Sequence, residues 1–119
     1  MDEMLKASRA GGVTVVRPTL RRLDAAVAPA FRAAVMAALE ESTPGEGAGR
    51  KLVLDLEDVD FVDSSGLGAM VSILKALGGG AVAICNAKGA VQSLFKLTRM
   101  DKVFALLGSR DEAVARLGG

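Results

Sequence analysis

The stretch Leu52-Val53-Leu54-Asp55-Leu56-Glu57-Asp58-Val59-Asp60-Phe61-Val62-Asp63-Ser64-Ser65-Gly66-Leu67-Gly68 decides how this chain is read. From Lys51 to Leu56 it is nearly continuously apolar, the pattern of a strand covered on both faces. An acidic turn follows, and the stretch ends on small hydroxyl residues where a helix should begin. Ser64 and Ser65 are therefore predicted at a helix N-terminus. Unpaired backbone N–H groups and the positive end of the helix dipole favour an anionic group there. A serine at such a point can be a cap, a nucleophile or a phosphate acceptor.

Working outward towards the C-terminus, Leu67, Met70, Val71, Leu74 and Leu77 form the buried stripe of a helix that Gly78-Gly79-Gly80 ends. Gly68, Ser72 and Lys75 recur opposite that stripe, on a face with few bulky side chains. Ala81 to Cys85 reads as a short buried strand. Lys88 to Leu97 reads as a helix turning Val91, Leu94 and Phe95 to the core, and Lys102 to Leu106 as a final strand. Ser109, with Glu112 three positions later, makes a capping box for a terminal helix through Leu117, stopped by Gly118.

Towards the N-terminus, Met4 to Arg9 and Val13 to Pro18 read as a hairpin joined by Ala10-Gly11-Gly12. Leu20 to Leu23 leads out of it to Asp24, a plausible N-cap. Val27, Phe31, Ala34, Val35, Ala38 and Leu39 then mark an amphipathic helix. Its start has two solutions: Asp24 caps a short first turn, or the regular helix begins with Pro29 in its first turn, where a missing N–H costs little. Ser42 to Gly49 is the most loop-like segment. Strands alternating with helices after a hairpin predict an α/β layered sandwich, a mixed sheet of about four to five strands with about four helices. One domain over residues 1–119 is expected, since the length suits a single core.

Composition removes several functions. Fifteen Lys and Arg against fourteen Asp and Glu give a net charge of +1, with no Trp or Tyr. That balance argues against nucleic acid or an anionic membrane as the main partner, since both demand a concentrated basic surface. The chain has no His, which removes Ser-His-Asp and Cys-His catalysis and the commonest transition-metal ligand. The single Cys85 lies in an apolar run and reads as a small buried core residue in a reducing, cytoplasmic setting. No secretory signal is visible, and no run approaches the roughly 20 apolar residues that span a bilayer. Gly66 and Gly68 do not complete a nucleotide-binding loop, since neither Gly-x-x-x-x-Gly-Lys-Ser/Thr nor Gly-x-Gly-x-x-Gly is present. No catalytic residue, cofactor or metal is expected.

Leu54 through Gly68 resembles the signature of STAS domains, in particular the bacterial anti-sigma factor antagonists. Leu23-Asp24 with the Ala-rich sequence and Pro29 after it, Ala81 to Cys85, and Val91 to Thr98 match further family segments in order. In that family a serine kinase that is also an anti-sigma factor binds the unmodified antagonist and phosphorylates the serine directly after the motif's aspartate. The resemblance implies Ser64 as phosphoacceptor and Asp24, Asp63, Ser65, Gly66 and Gly68 as partner-binding residues. It also turns the small-residue face carrying Ser72 into an interface. The kinase would bring its own ATP, a phosphatase would reverse the mark, and no contact with nucleic acid or insertion into a membrane is implied. A phosphate would add about −1.5 to −2 charges beside Asp63 and near Asp58 and Asp60 in sequence. Two residues depart from the family pattern, Arg21 and Arg99, each where glycine is frequent. Two other readings are a non-switching STAS subunit of a transporter or sensory complex, and a small hydrolase using Ser64 or Ser65, against which the missing His argues.

Overall fold

The computed structural model describes residues 4–44, 50–78 and 81–118. Strands β1 (Leu5–Ala10) and β2 (Val13–Pro18) pair antiparallel, with Ala10 opposite Val13. Between them Gly11 and Gly12 have φ of 55° and 79°, the pair of left-handed residues that a two-residue type I′ turn requires. The chain continues through β3 (Arg22–Leu23), α1 (Ala28–Ser42), β4 (Lys51–Asp55), β5 (Phe61–Val62) and α2 (Ser64–Ala76). It ends with β6 (Ala81–Cys85), α3 (Gly89–Leu97), a 3₁₀ turn (Met100–Lys102), β7 (Ala105–Leu107) and α4 (Arg110–Gly118). The main sheet has the order β1-β2-β4-β6-β7. Only its β1–β2 pair is antiparallel, so this is the mixed five-stranded α/β fold with four helices that the sequence predicts.

Alternation along the strands sorts the core into two layers. Val16, Leu52, Leu54, Val82 and Ile84 share one cluster with Phe31 and Val35 of α1, Met70 and Ile73 of α2, and Val91 and Phe95 of α3. On the other face Val15, Val53, Ala83 and Cys85 meet Ala113, Val114 and Leu117 of α4. Burial on both faces is why β4 and β6 read as unbroken apolar runs. Phe104 closes the first layer edge-on against Phe95, ring centroids 5.7 Å apart at 78°. Such a pair is worth about 0.5–1.5 kcal/mol beyond its buried area.

Cys85 is fully buried, as its apolar setting predicts. Burial, and secondarily the charge of Asp55, pushes its thiol from 9.0 up to about 12. The folded state therefore holds the proton that the unfolded chain releases. The Cys85 contribution to stability should be constant below pH 9 and then fall by up to about 1.4 kcal/mol per pH unit as pH rises towards 12. Urea melts across that range check this, and the thiol should resist iodoacetamide until the chain unfolds.

The carboxylate of Asp55 closes β4 in the α4 layer, with its side chain 2% exposed. Oδ2 accepts from Arg110 Nε at 3.1 Å and Nη2 at 2.9 Å. Oδ1 accepts from Asn86 Nδ2 at 3.0 Å and the Glu57 amide at 3.1 Å. The start of α4 is thereby tied to the ends of two central strands.

Three local expectations change and two are met in detail. The final strand is β7, starting three residues after the predicted start and ending one residue later, because Met100 to Lys102 turn as a 3₁₀ helix and carry Phe104 into the core. Both solutions offered for the start of α1 are present: Asp24 caps a short turn, its Oδ1 accepting from the Ala26 amide at 3.1 Å and its carbonyl from the Val27 and Ala28 amides, and the regular helix then starts from Val27 without a side-chain cap, with Pro29 in its first turn. Ser42 belongs to α1 rather than to the loop, whose residues 45–49 lie outside the described segments. The residue stopping α2 is Gly78, at φ 53°, with Gly79 and Gly80 outside the described residues. Gly118 is the last residue of α4 rather than a stop beyond it.

Candidate functional site

After β4 the chain turns back to meet the segment that precedes α1. The Asp60 and Phe61 amides donate to the Arg21 carbonyl at 2.7 and 3.2 Å, and β5 pairs parallel with β3, Phe61 opposite Arg22 and Val62 opposite Leu23. This two-residue ribbon sets the edge from which α2 departs. The Asp63 amide donates to the Leu23 carbonyl at 3.2 Å. Its carboxylate then works in two directions. Oδ1 caps α2 through the Gly66 amide at 2.9 Å, and Oδ2 accepts from the Ala25 amide at 3.2 Å.

Gly66 is where these segments come closest. A Cβ there would stand 2.1 Å from the Leu23 carbonyl oxygen, so no other residue fits without moving backbone. Gly66 is accordingly buried, beneath the surface formed by its neighbours. Gly68, four positions after Ser64, is exposed, with open space where a side chain would be.

Ser64 and Ser65 are both exposed and begin α2. The amides around them are accounted for: those of Asp63, Gly66 and Leu67 are bonded to Leu23, the Asp63 carboxylate and the Asp63 carbonyl. The Ser64 and Ser65 amides have no protein acceptor among the described residues. Two free donors thus lie beside two exposed hydroxyls at the positive end of a helix. Ser72 lies further along the same face as Ser64 and Gly68, half-buried, its Oγ accepting from Arg32 Nε at 2.7 Å across α1 and α2. Asp24 completes the group, half-buried, with Oδ2 3.5 Å from Arg22 Nε.

The acidic turn is less bare than its sequence implies. Asp58 is paired with Arg17. Asp60 is held between Lys88 and Arg21, the latter at 2.9 Å, and these two cations, Lys88 first, keep its carboxyl below the usual 3.8. The two Asp60 pairs are exposed and contribute little to stability, while the Arg17–Asp58 pair is part-buried. The Arg22 guanidinium lies 4.3 Å over the Phe61 ring. Arg21, Lys88, Thr19, Glu57 and Asp58 line a shallow cleft of about 210 Å³ at this rim. None of these partners was readable locally, since each joins residues remote in sequence.

The family profile of the STAS domain matches residues 4–113. The chain belongs to the STAS domain family. Across 71 residues this STAS domain is 31% identical to a candidate anti-sigma factor antagonist of Thermotoga neapolitana, a match covering 58% of the domain and 63% of the relative. The matched part is thus less than two thirds of that relative. The crystal structure of an anti-sigma factor antagonist from Mycobacterium paratuberculosis superposes with a TM-score of 0.79 at 29% identity, covering 97% of this STAS domain and 93% of that chain. The anti-sigma factor antagonist SpoIIAA, unphosphorylated, shares the fold at 20% identity and a TM-score of 0.70, covering 94% of each chain. In its phosphorylated form SpoIIAA gives 0.62 at 18% identity. The STAS domain therefore has the fold of anti-sigma factor antagonists. Among its described residues no helix is long and apolar enough to cross a membrane.

Proposed function

We propose that this STAS domain is a cytoplasmic anti-sigma factor antagonist. Unmodified, it captures an anti-sigma factor that is also a serine kinase. Phosphorylation of Ser64 by that partner, using ATP the partner binds, releases it, and a phosphatase restores the capture-competent form. The observation carrying this reading is the pair of exposed serines beside two unengaged amides, on a turn that Asp63 braces from both sides. The names of the relatives support the role, and SpoIIAA is described in phosphorylated and unphosphorylated forms.

The gate is steric and electrostatic. Asp24, Asp63, Ser65, Gly68 and Ser72 form the capture surface, and Gly66 sets it by letting α2 approach Leu23. A phosphate on Ser64 would sit at a helix N-terminus that stabilises it within the antagonist. A partner closing over the turn would have to bury that charge next to Asp63 and Asp24. Asp58 and Asp60, already matched by Arg17, Arg21 and Lys88, add little to the repulsion.

The test is capture of the anti-sigma factor by Ser64 variants. Ser64→Ala should bind like the unmodified chain, whereas Ser64→Asp should lose about 100-fold in affinity, near 2.7 kcal/mol. Incubation with the partner kinase and ATP should place one phosphate on Ser64 and none on Ser65, read by mass spectrometry. Equal binding by both variants would remove the switch and favour a non-switching STAS subunit.

A further inference from the structure

The corner between α3 and β7 has no role in the Ser64 surface. It precedes β7, which runs parallel to β4 and β6, so it lies at the edge where those strands begin. Ser64 follows the end of β4, at the opposite edge. Among the described residues three large hydrophobic side chains are exposed: Phe61 at 39%, Val103 at 47% and Leu97 at 83%. Phe61 is covered by Arg22, and the other two belong to this corner.

Cations frame them. Lys96, Arg99 and Lys102 recur every third residue and are all exposed. Elsewhere Arg17, Arg21, Arg22, Arg50, Lys88 and Arg110 each hold a carboxylate, whereas Lys6, Arg9, Arg32, Lys51, Lys75 and Arg116 hold none among the described residues but stand beside no exposed large hydrophobic neighbour in sequence. Lys96, Arg99 and Lys102 hold none among the described residues, and the half-buried Asp101 is the segment's single acid. The segment is tightly folded, with the Arg99 amide bonded to the Lys96 carbonyl and the Lys102 amide to the Arg99 carbonyl. Arg99 itself has φ 60°, a left-handed conformation that is uncommon and unfavourable for a residue with a side chain. That left-handed turn leaves the Arg99 side chain exposed between Lys96 and Lys102.

We propose that this corner is a second docking surface, for an acidic segment of a partner protein that also carries aliphatic side chains. Carboxylates would pair with Lys96, Arg99 and Lys102 while the aliphatic groups cover Leu97 and Val103. Charge complementarity selects the occupant. A lipid surface fits less well, because three cations and two modest apolar side chains are fewer than a stable anchor needs, when even one myristoyl chain binds marginally. Lying at the opposite edge from Ser64, the surface remains available whatever the state of that serine.

The test uses the full chain and a short fluorescein-labelled peptide alternating Glu and Leu, followed by anisotropy and by amide shifts in NMR. Binding should move the amides of residues 96–103 and should be the same in Ser64→Asp. Joint charge reversal, Lys96→Glu with Arg99→Glu and Lys102→Glu, should weaken binding at least about tenfold, and Leu97→Ser about threefold. All four side chains are exposed, so these variants should fold, which circular dichroism checks. Arg99→Gly gives an opposed pair of signs: weaker binding with a raised thermal midpoint, as the left-handed strain is relieved. Equal binding of a Glu and Ser peptide would overturn the proposal. So would unchanged affinity in the charge-reversed variant, or cosedimentation with phosphatidylserine vesicles without peptide binding.

Discussion

A Gly66→Ala variant is expected to lose about 3 kcal/mol of stability, at the upper end of overpacking penalties. The added methyl would stand 2.1 Å from the Leu23 carbonyl oxygen, 2.9 Å from its carbon and 3.0 Å from the Leu23 Cβ. Two of those three atoms are backbone, so no rotamer change relieves the contact. Either α2 moves off the β3–β5 ribbon or the ribbon parts. The bond from the Asp63 amide to Leu23 then breaks, and with it the geometry of the serine turn. A chemical melt should show the loss directly. Gly68→Ala is the natural control, since nothing lies within 4 Å of its would-be Cβ. On an exposed helical position it should stabilise by about 0.5–1 kcal/mol. If Gly68 faces the partner, the same substitution lowers capture without harming the fold.

Arg110→Ala carries the second large effect, a loss of about 3–5 kcal/mol, because it leaves the Asp55 carboxylate buried without its counter-charge. The reverse change, Asp55→Ala, should cost less. The Arg110 side chain is 42% exposed against 2% for Asp55, so a freed guanidinium can turn to water whereas the freed carboxylate cannot. Urea melts of the two variants should therefore differ in midpoint, with Arg110→Ala the lower. Equal losses would mean that the amides of Glu57 and Asn86, and not the arginine, carry the stabilisation.

What the sequence revealed and what it hid follow from the range of each interaction. Apolar runs in β4 and β6, the glycine pair at 11 and 12, and the Ser109–Glu112 box rest on local rules, and each appears in place. In the box, the Glu112 amide donates to Ser109 Oγ at 3.2 Å. The β3–β5 ribbon is only two residues deep, so no periodicity announces it; its existence depends on parallel pairing between remote segments. Val103 and Phe104 read as strand because they are apolar, but Phe104 is buried from a turn and Val103 stands in solvent. At the candidate site, the helix start at Ser64 and Ser65 was legible, but its cap was not: Asp63 supplies it, and neither serine does. The Ala25 amide on Asp63 and the Leu23 carbonyl over Gly66 were not legible either. The buried Asp55 does leave a signal in the sequence, a lone charge at the end of an apolar run.

The double bracing of the serine turn has a consequence for timing. A group attached to Ser64 projects into solvent from backbone already fixed through Asp63 on both sides, so displaying it requires no repacking. Rearrangements of loops and domains take microseconds to milliseconds or longer. In the proposed switch no such interval would separate phosphorylation of Ser64 from its readout. The delay before a partner sensed the mark would be that of diffusional encounter, and response speed would belong to the enzymes that write and erase it.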